Sequence, residues 1–298
     1  MLNFNLNMNK FKSIIALFTF GLLLATAGCD IINPPYKEPG SGDTSLCPPQ
    51  NFPVNNNPIR KILLEDYTGH TCGNCPQAAA TAQSLKNTYG DQLVIMAVHC
   101  GFFAEPVENT PFTTDFRTTV GNDLDQQFGC SAAGLPRGMV DRKKSGSSPV
   151  LAHTAWASMV QSIINLPPDL DIQIIPNYDA GSRTACADVQ VKFLKNISDD
   201  LKICVYLTED SIIDWQKDYS ANPPEIENYV HRHVLRGSFN GSWGDSLGIA
   251  PFAQSDMARF RYALELDSTW NESHCSILTY VYNTSSDEVL QAEEAHLP

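Results

Sequence analysis

Two cysteines separated by two residues, Cys72 and Cys75, are the pair in this chain best placed to do chemistry. They sit in the stretch Glu65-Asp66-Tyr67-Thr68-Gly69-His70-Thr71-Cys72-Gly73-Asn74-Cys75-Pro76. A thiol at the mouth of a helix faces unpaired amide hydrogens and the positive end of the helix dipole. Both favour thiolate, so Cys72 is the expected attacking sulfur and Cys75, one turn further in, the resolving one. Pro76 fits there, because first-turn amides have no intrahelical partner. Asp66 precedes the pair by six residues; a carboxyl buried there would have a raised pKa and could act as a general base. His70, if protonated, would stabilise the Cys72 thiolate, and Thr71 lies next to that sulfur on the substrate side.

These groups need a strand, a turn and a helix in that order. Arg60–Tyr67 reads as a buried strand, Pro76–Tyr89 as a helix with Ala78, Ala79, Ala82 and Leu85 inward and Gly90 as its stop, and Gln92–His99 as a parallel central strand. Helical segments at Thr113–Phe128 and Pro149–Ile164 flank a strand at Arg137–Arg142. This order, with C-x-x-C at the first helix start, resembles thioredoxin. Gly134-Leu135-Pro136 resembles the cis-proline loop of that family. The resemblance implies that Pro136 lies against the cysteines and that the Leu135 backbone pairs with a substrate chain. Thr71 stands where thioredoxins carry tryptophan, and Gly73-Asn74 replaces Gly-Pro.

Several readings stay open. The pair either exchanges disulfides or forms an inert Cys72–Cys75 bridge on a scaffold reused for binding. Either Asp66 or Glu65 points inward, since a one-residue slip exchanges the two faces of a strand. Zinc held by Cys72, Cys75, His99 and Cys100 would want a second cysteine pair at ligand spacing, which the chain lacks. His231 and His233 share a face if both lie on one strand, yet no acid or third histidine accompanies them. No metal and no cofactor is expected.

The first 28 residues read as an export leader: Lys10 and Lys12, an apolar run from Ile14 to Leu24, then small residues. Thr26-Ala27-Gly28-Cys29 resembles a bacterial lipobox, which implies lipidation of Cys29 and a lipid-anchored soluble body. Residues 29–58, rich in Pro, Gly, Ser and Asn, read as a flexible tether. A formal net charge of −13 argues against nucleic-acid binding. Nine cysteines in an exported chain allow disulfides. Cys100 and Cys130 are expected as neighbours; Cys186, Cys204 and Cys275 lie in strand-like runs and could equally be buried free thiols.

Past Pro167-Pro168 the pattern becomes strand-rich: 171–175, 187–194, 201–207, 229–235, 259–266, 276–282 and 288–296. The expectation is a thioredoxin-like α/β domain over 59–167, followed by an all-β sandwich over 168–298, Ig-like or jelly-roll-like.

The lipobox, Thr68–Pro76 as T-G-x-x-C-x-N-C-P, and His231–Arg236 (H-x-H-V-L-R) with the Trp243-Gly244 that follows resemble the outer-membrane-protein-28 family of Bacteroidetes lipoproteins. That resemblance implies an outer-membrane, lipid-anchored location on the periplasmic or cell-surface face and an adhesin-type or receptor role, with a protein or peptide as ligand. It brings no established catalytic activity. The alternative function is a thiol–disulfide oxidoreductase acting on exported proteins. Oligomeric state has no signal in the sequence.

Overall fold

The structure, a computed structural model, describes residues 44–298, so the leader, Cys29 and the first part of the tether lie outside the described residues. Strand β1 (Ile62–Thr68) is buried at every position and runs parallel to β2 (Leu93–His99), with helix α1 (Cys75–Tyr89) between them. Strand β3 (Arg137–Val140) closes the other side of β1 in antiparallel register, Tyr67 facing Arg137. The alanine-rich α1 lays Ala78, Ala82 and Leu85 on the sheet and stops at Gly90, whose φ of 57° suits glycine. Helix α2 is shorter than the sequence pattern suggests, Thr119–Phe128, because Thr118 caps it: its side chain accepts the Gly121 amide, while 113–118 form no regular element. Helix α3 (Trp156–Ile163) likewise begins late, after a short 3-10 turn at His153–Ala155.

The second half does not form a sandwich of its own. Strands β4 (Leu170–Asp179), β5 (Thr184–Phe193) and β11 (Met257–Glu265) make a three-stranded sheet, but β6 (Leu201–Glu209), β9 (Val234–Ser238), β12 (Cys275–Asn283) and β13 (Val289–His296) join the sheet of the first half. Its order is β13-β12-β6-β9-β2-β1-β3, with the short β10 (Asp245–Ser246) beside β6. Pro167-Pro168 therefore ends a helix without separating two sheets. The physical reason is the open edge of β2: unpaired amides and carbonyls there need a neighbour, and β9 supplies one through Ala97 and Val234. The far strand β13 curls back to the start, the amides of Val289 and Ala292 donating to the carbonyls of Asp141 and Lys61.

Period-two alternation sorts this large sheet into two faces, which carry three cores. Leu63, Tyr67, Val94, Met96, Tyr206, Leu278 and Tyr280 face one core, which α2 covers with Val120 and Leu124. Ile62, Leu64, Leu93 and Ile95 face the opposite side, under α1 and α3. Further along that side, Ile203, Val205, Leu207 and Ile277 meet the three-stranded sheet in the third core. The result is a mixed α/β fold, mostly strands.

The register also settles the two acids. Glu65 shares a face with Leu63 and Tyr67; its carboxylate takes both ends of the buried Arg142 guanidinium at 2.9 Å, and Arg142 also donates to Tyr280. Phe128 and Tyr280 stack on the same guanidinium, so its charge is surrounded as well as paired. A second buried pair, Arg60–Asp141, holds the start of β1, where Asp141 also accepts the Leu63 amide. Asp66 shares the other face with Ile62 and Leu64, towards α1.

Two expectations about cysteines change. Cys47 is buried and disulfide-bonded to Cys186 of β5, so the segment expected as a flexible tether is stapled to the body at Cys47. Cys100 and Cys130 do sit in one core, but as free thiols whose pKa values burial raises. Cys204 and Cys275 are buried free thiols.

Candidate functional site

Cys72 and Cys75 are joined in a disulfide at the start of α1, Cys75 being the first helical residue and Cys72 in the turn before it. The turn is drawn tight by the amides of Cys72 and Cys75, which donate to the carbonyls of Gly69 and Cys72. Gly69 has to be glycine: a Cβ there would lie 2.5 Å from the Phe103 backbone, where the neighbouring loop crosses. That loop is fixed by the amide and hydroxyl of Thr71, both donating to the Phe103 carbonyl. Phe102 remains 77% exposed beside it.

The disulfide itself is hidden, with Cys72 3% and Cys75 1% exposed. Its cover is a hairpin of the second half, β7 (Ile212–Lys217) and β8 (Glu225–His231), forming a two-stranded sheet of its own. The amide of Lys217 donates to the His70 carbonyl at 2.8 Å, and that of Tyr219 to the Gly73 carbonyl at 2.8 Å. The Gln216 amide group reaches the carbonyls of Gly69 and Cys72 from the same strand. The chain's own strand thus binds the C-x-x-C turn through backbone hydrogen bonds, as an added β-strand would.

The other expected site residues are distributed around this point. Leu135-Pro136 is a cis peptide. Pro136 is buried and directly precedes Arg137, the β3 residue that pairs with Tyr67, whereas Leu135 packs on the α2 side of the sheet. Asp66 is 3% exposed, and burial alone pushes its carboxyl up to about 7. It lines a cavity of about 390 Å³ together with Cys75, His99, His231 and Gln216.

His70 does not act on Cys72. It is 1% exposed, its Nε2–H donates to the Glu105 carbonyl, and it packs against Phe112 and Phe116. Burial lowers its pKa, so the ring is neutral near pH 7 and stabilises no thiolate. His231 and His233 do not share one strand face: β8 ends at His231, and His233 turns at φ 55° before β9 starts. Burial brings both down to about 4. Among the described residues no group of three or more acidic, histidine or cysteine side chains is arranged to hold a metal ion.

Sequence reasoning missed the hairpin, because 212–217 (IIDWQK) has neither clean alternation nor an apolar run. One signal existed: Gly73 between the cysteines, where a Cβ would lie 2.6 Å from the Tyr219 ring.

Comparison with known proteins places these features in context. The family model described as outer membrane protein Omp28 matches residues 121–297. HBP35 of Porphyromonas gingivalis has a similar fold, with a TM-score of 0.57 and 14% identity over 82% of this chain and 77% of that one. A domain of the outer membrane lipoprotein Omp28 from the same organism aligns at TM-score 0.31 and 19% identity, over 44% of this chain and 88% of that one. No curated protein matches the sequence. Among the described residues no helix is long and apolar enough to cross a membrane.

Proposed function

We propose, for a chain that belongs to the Omp28 family of outer membrane proteins, a lipid-anchored binding protein of adhesin type, in which a thioredoxin-like layer has become a binding scaffold. Cys29 carries the lipid, and the ligand is a protein or peptide. The observation behind this reading is the hairpin over the disulfide: Cys72 is 3% exposed, with its turn already occupied by Lys217 and Tyr219. A nucleophilic sulfur has to reach a substrate disulfide in line, and a covered one does not turn over. The exposed Phe102 beside the turn belongs to the ligand-facing surface.

The test pairs ligand capture with redox turnover. The mature protein and its Cys72→Ser variant should bind envelope or host proteins equally, and neither should accelerate the reduction of insulin by dithiothreitol above the rate of dithiothreitol alone. Loss of capture in a folded Cys72→Ser protein contradicts the reading, as does acceleration of insulin reduction by the wild type.

One feature favours a second reading, a thiol–disulfide oxidoreductase of exported proteins: Asp66, raised to about 7, lines the same cavity as Cys75. With the pair reduced and the hairpin displaced, the Cys72 thiolate attacks one substrate sulfur and the other leaves as thiolate. Asp66 takes the Cys75 proton; Cys75 attacks Cys72, and the second substrate sulfur leaves. The substrate gains the two electrons that the dithiol loses, and an external dithiol must restore the pair.

A further inference from the structure

The cavity under the hairpin is distinct from the hairpin's contact with Gly73. Its floor is Asp66 of β1 with Ile95, Ala97 and His99 of β2; α1 forms one side, and Tyr229 and His231 of β8 lie across it. Ala80, Val230 and Arg232, all exposed, mark where it meets solvent. Two polar atoms on the floor have no partner among the described residues, Asp66 Oδ1 and His99 Nδ1, and each residue is 3% exposed. An unmatched buried polar group is destabilising, so its presence needs a physical reason. The neighbouring buried acids show what the chain does elsewhere: Glu65 has Arg142, and Asp141 has Arg60. Among these three acids only Asp66 is left without a cation, and only Asp66 opens on the cavity.

We propose that this cavity binds a small organic cation, a primary ammonium on a short aliphatic stem, with the ammonium on the Asp66 carboxylate. The lining suits both parts of such a molecule. An ammonium brings three donors and one positive charge, which the carboxylate and the free His99 nitrogen can accept. His99 and His231 are kept neutral by burial and so do not repel it. Asp218 adds a second acid to the wall, and the Tyr229 ring offers a π face. Arg232, the cation at the mouth, is engaged outside by Asp210 at 3.1 Å. The stem lies along Pro76, Ala79, Ile95 and Ala97. An anion would meet two acids, and a neutral molecule would leave the Asp66 charge unanswered.

Isothermal titration calorimetry of the mature chain with both disulfides intact, at mildly alkaline pH, tests this with n-butylammonium and its uncharged counterpart butyramide. This site is independent of the protein ligand proposed above, so failure of one leaves the other standing. Saturable binding of butylammonium is expected, weakened about tenfold or more in Asp66→Asn, as loss of a charge-assisted hydrogen bond implies. Ala97→Leu, which fills the floor and keeps Asp66, should abolish it in a protein that still melts cooperatively. Absence of saturable binding to the wild type, equal affinity in Asp66→Asn, or butyramide binding as tightly as butylammonium overturns the proposal.

Discussion

The amide of Tyr219 donates to the carbonyl of Gly73 at 2.8 Å, and the Tyr219 ring lies where a side chain on residue 73 would begin. With the Lys217 amide on the His70 carbonyl and the Gln216 side chain on those of Gly69 and Cys72, this contact joins the dithiol turn of the first half to a hairpin from the second. It turns an exchange-competent sequence motif into a covered disulfide.

Gly73→Ala follows directly. A Cβ 2.6 Å from the ring forces Tyr219 aside, and since that ring is 60% exposed it has room to swing out. Gly73 is buried and the overlap reaches the root of the ring, so the loss in global stability should be about 1–3 kcal/mol, as for other overpacked sites. Amide hydrogen exchange at Lys217 and Tyr219 should also accelerate, and mass spectrometry of the 212–231 peptides will read it.

Gln216 is the side chain that fastens β7 to the turn. Gln216→Ala leaves the Gly69 and Cys72 carbonyls with one donor fewer each. Those carbonyls keep the amides of Cys72 and Cys75. The expected loss is therefore only about 1–2 kcal/mol in urea denaturation, with exchange faster in the hairpin before anywhere else.

Removing one member of the Glu65–Arg142 pair should be far more costly. Glu65→Gln leaves a buried guanidinium without its counter-charge, at about 3–5 kcal/mol. Replacing both, with Leu at 65 and Met at 142, should recover much of that, because desolvation of two charges is no longer required. A double-mutant cycle in urea measures both.

Asp66 sets a pH signature. Its folded pKa of about 7 exceeds the ordinary 3.8, so the folded chain holds a proton that the unfolded chain releases. Stability from this group is full below about pH 4 and lost as pH rises through 7. Asp66→Asn should stabilise the protein by up to about 4 kcal/mol at alkaline pH. The gain should vanish near pH 4, which thermal melts of both proteins across that range will show.

The Cys47–Cys186 bridge closes a separation of 139 residues. Opening it in a Cys47→Ser, Cys186→Ser protein should cost at most about 5 kcal/mol on the chain-entropy account. Differential scanning calorimetry against the wild type checks it.

How far the sequence carried is visible residue by residue. The β1–α1–β2 unit was legible because its signals are local: a continuous apolar run, alanines at helical spacing, a glycine stop. The sequence leaves open which of Glu65 and Asp66 points inward, since the two differ only by register, and both are in fact buried. The partners resolve it: Arg142 takes Glu65, and the cavity takes Asp66. Most strands of the second half were found within a few residues, yet their sheet was not. Antiparallel β6 and β12 read the same whether they build a separate sandwich or extend β1 and β2; only the pairing of Ala97 with Val234 tells. His231 and His233 look like one strand face until the backbone turns at His233. The hairpin was missed because its hold on the cysteine turn is made by backbone amides and one glutamine, groups that leave no pattern in composition.

The covered disulfide is tested most directly by the rate at which dithiothreitol reduces Cys72–Cys75, followed by alkylation and mass spectrometry. The comparison is between wild type and a variant with 218–224 replaced by a short glycine turn that removes Tyr219. A covered bond predicts slow reduction in the wild type and a rise of about tenfold or more in the variant, as access controls exchange. Equal rates in the two folded proteins would mean that the hairpin does not guard the dithiol.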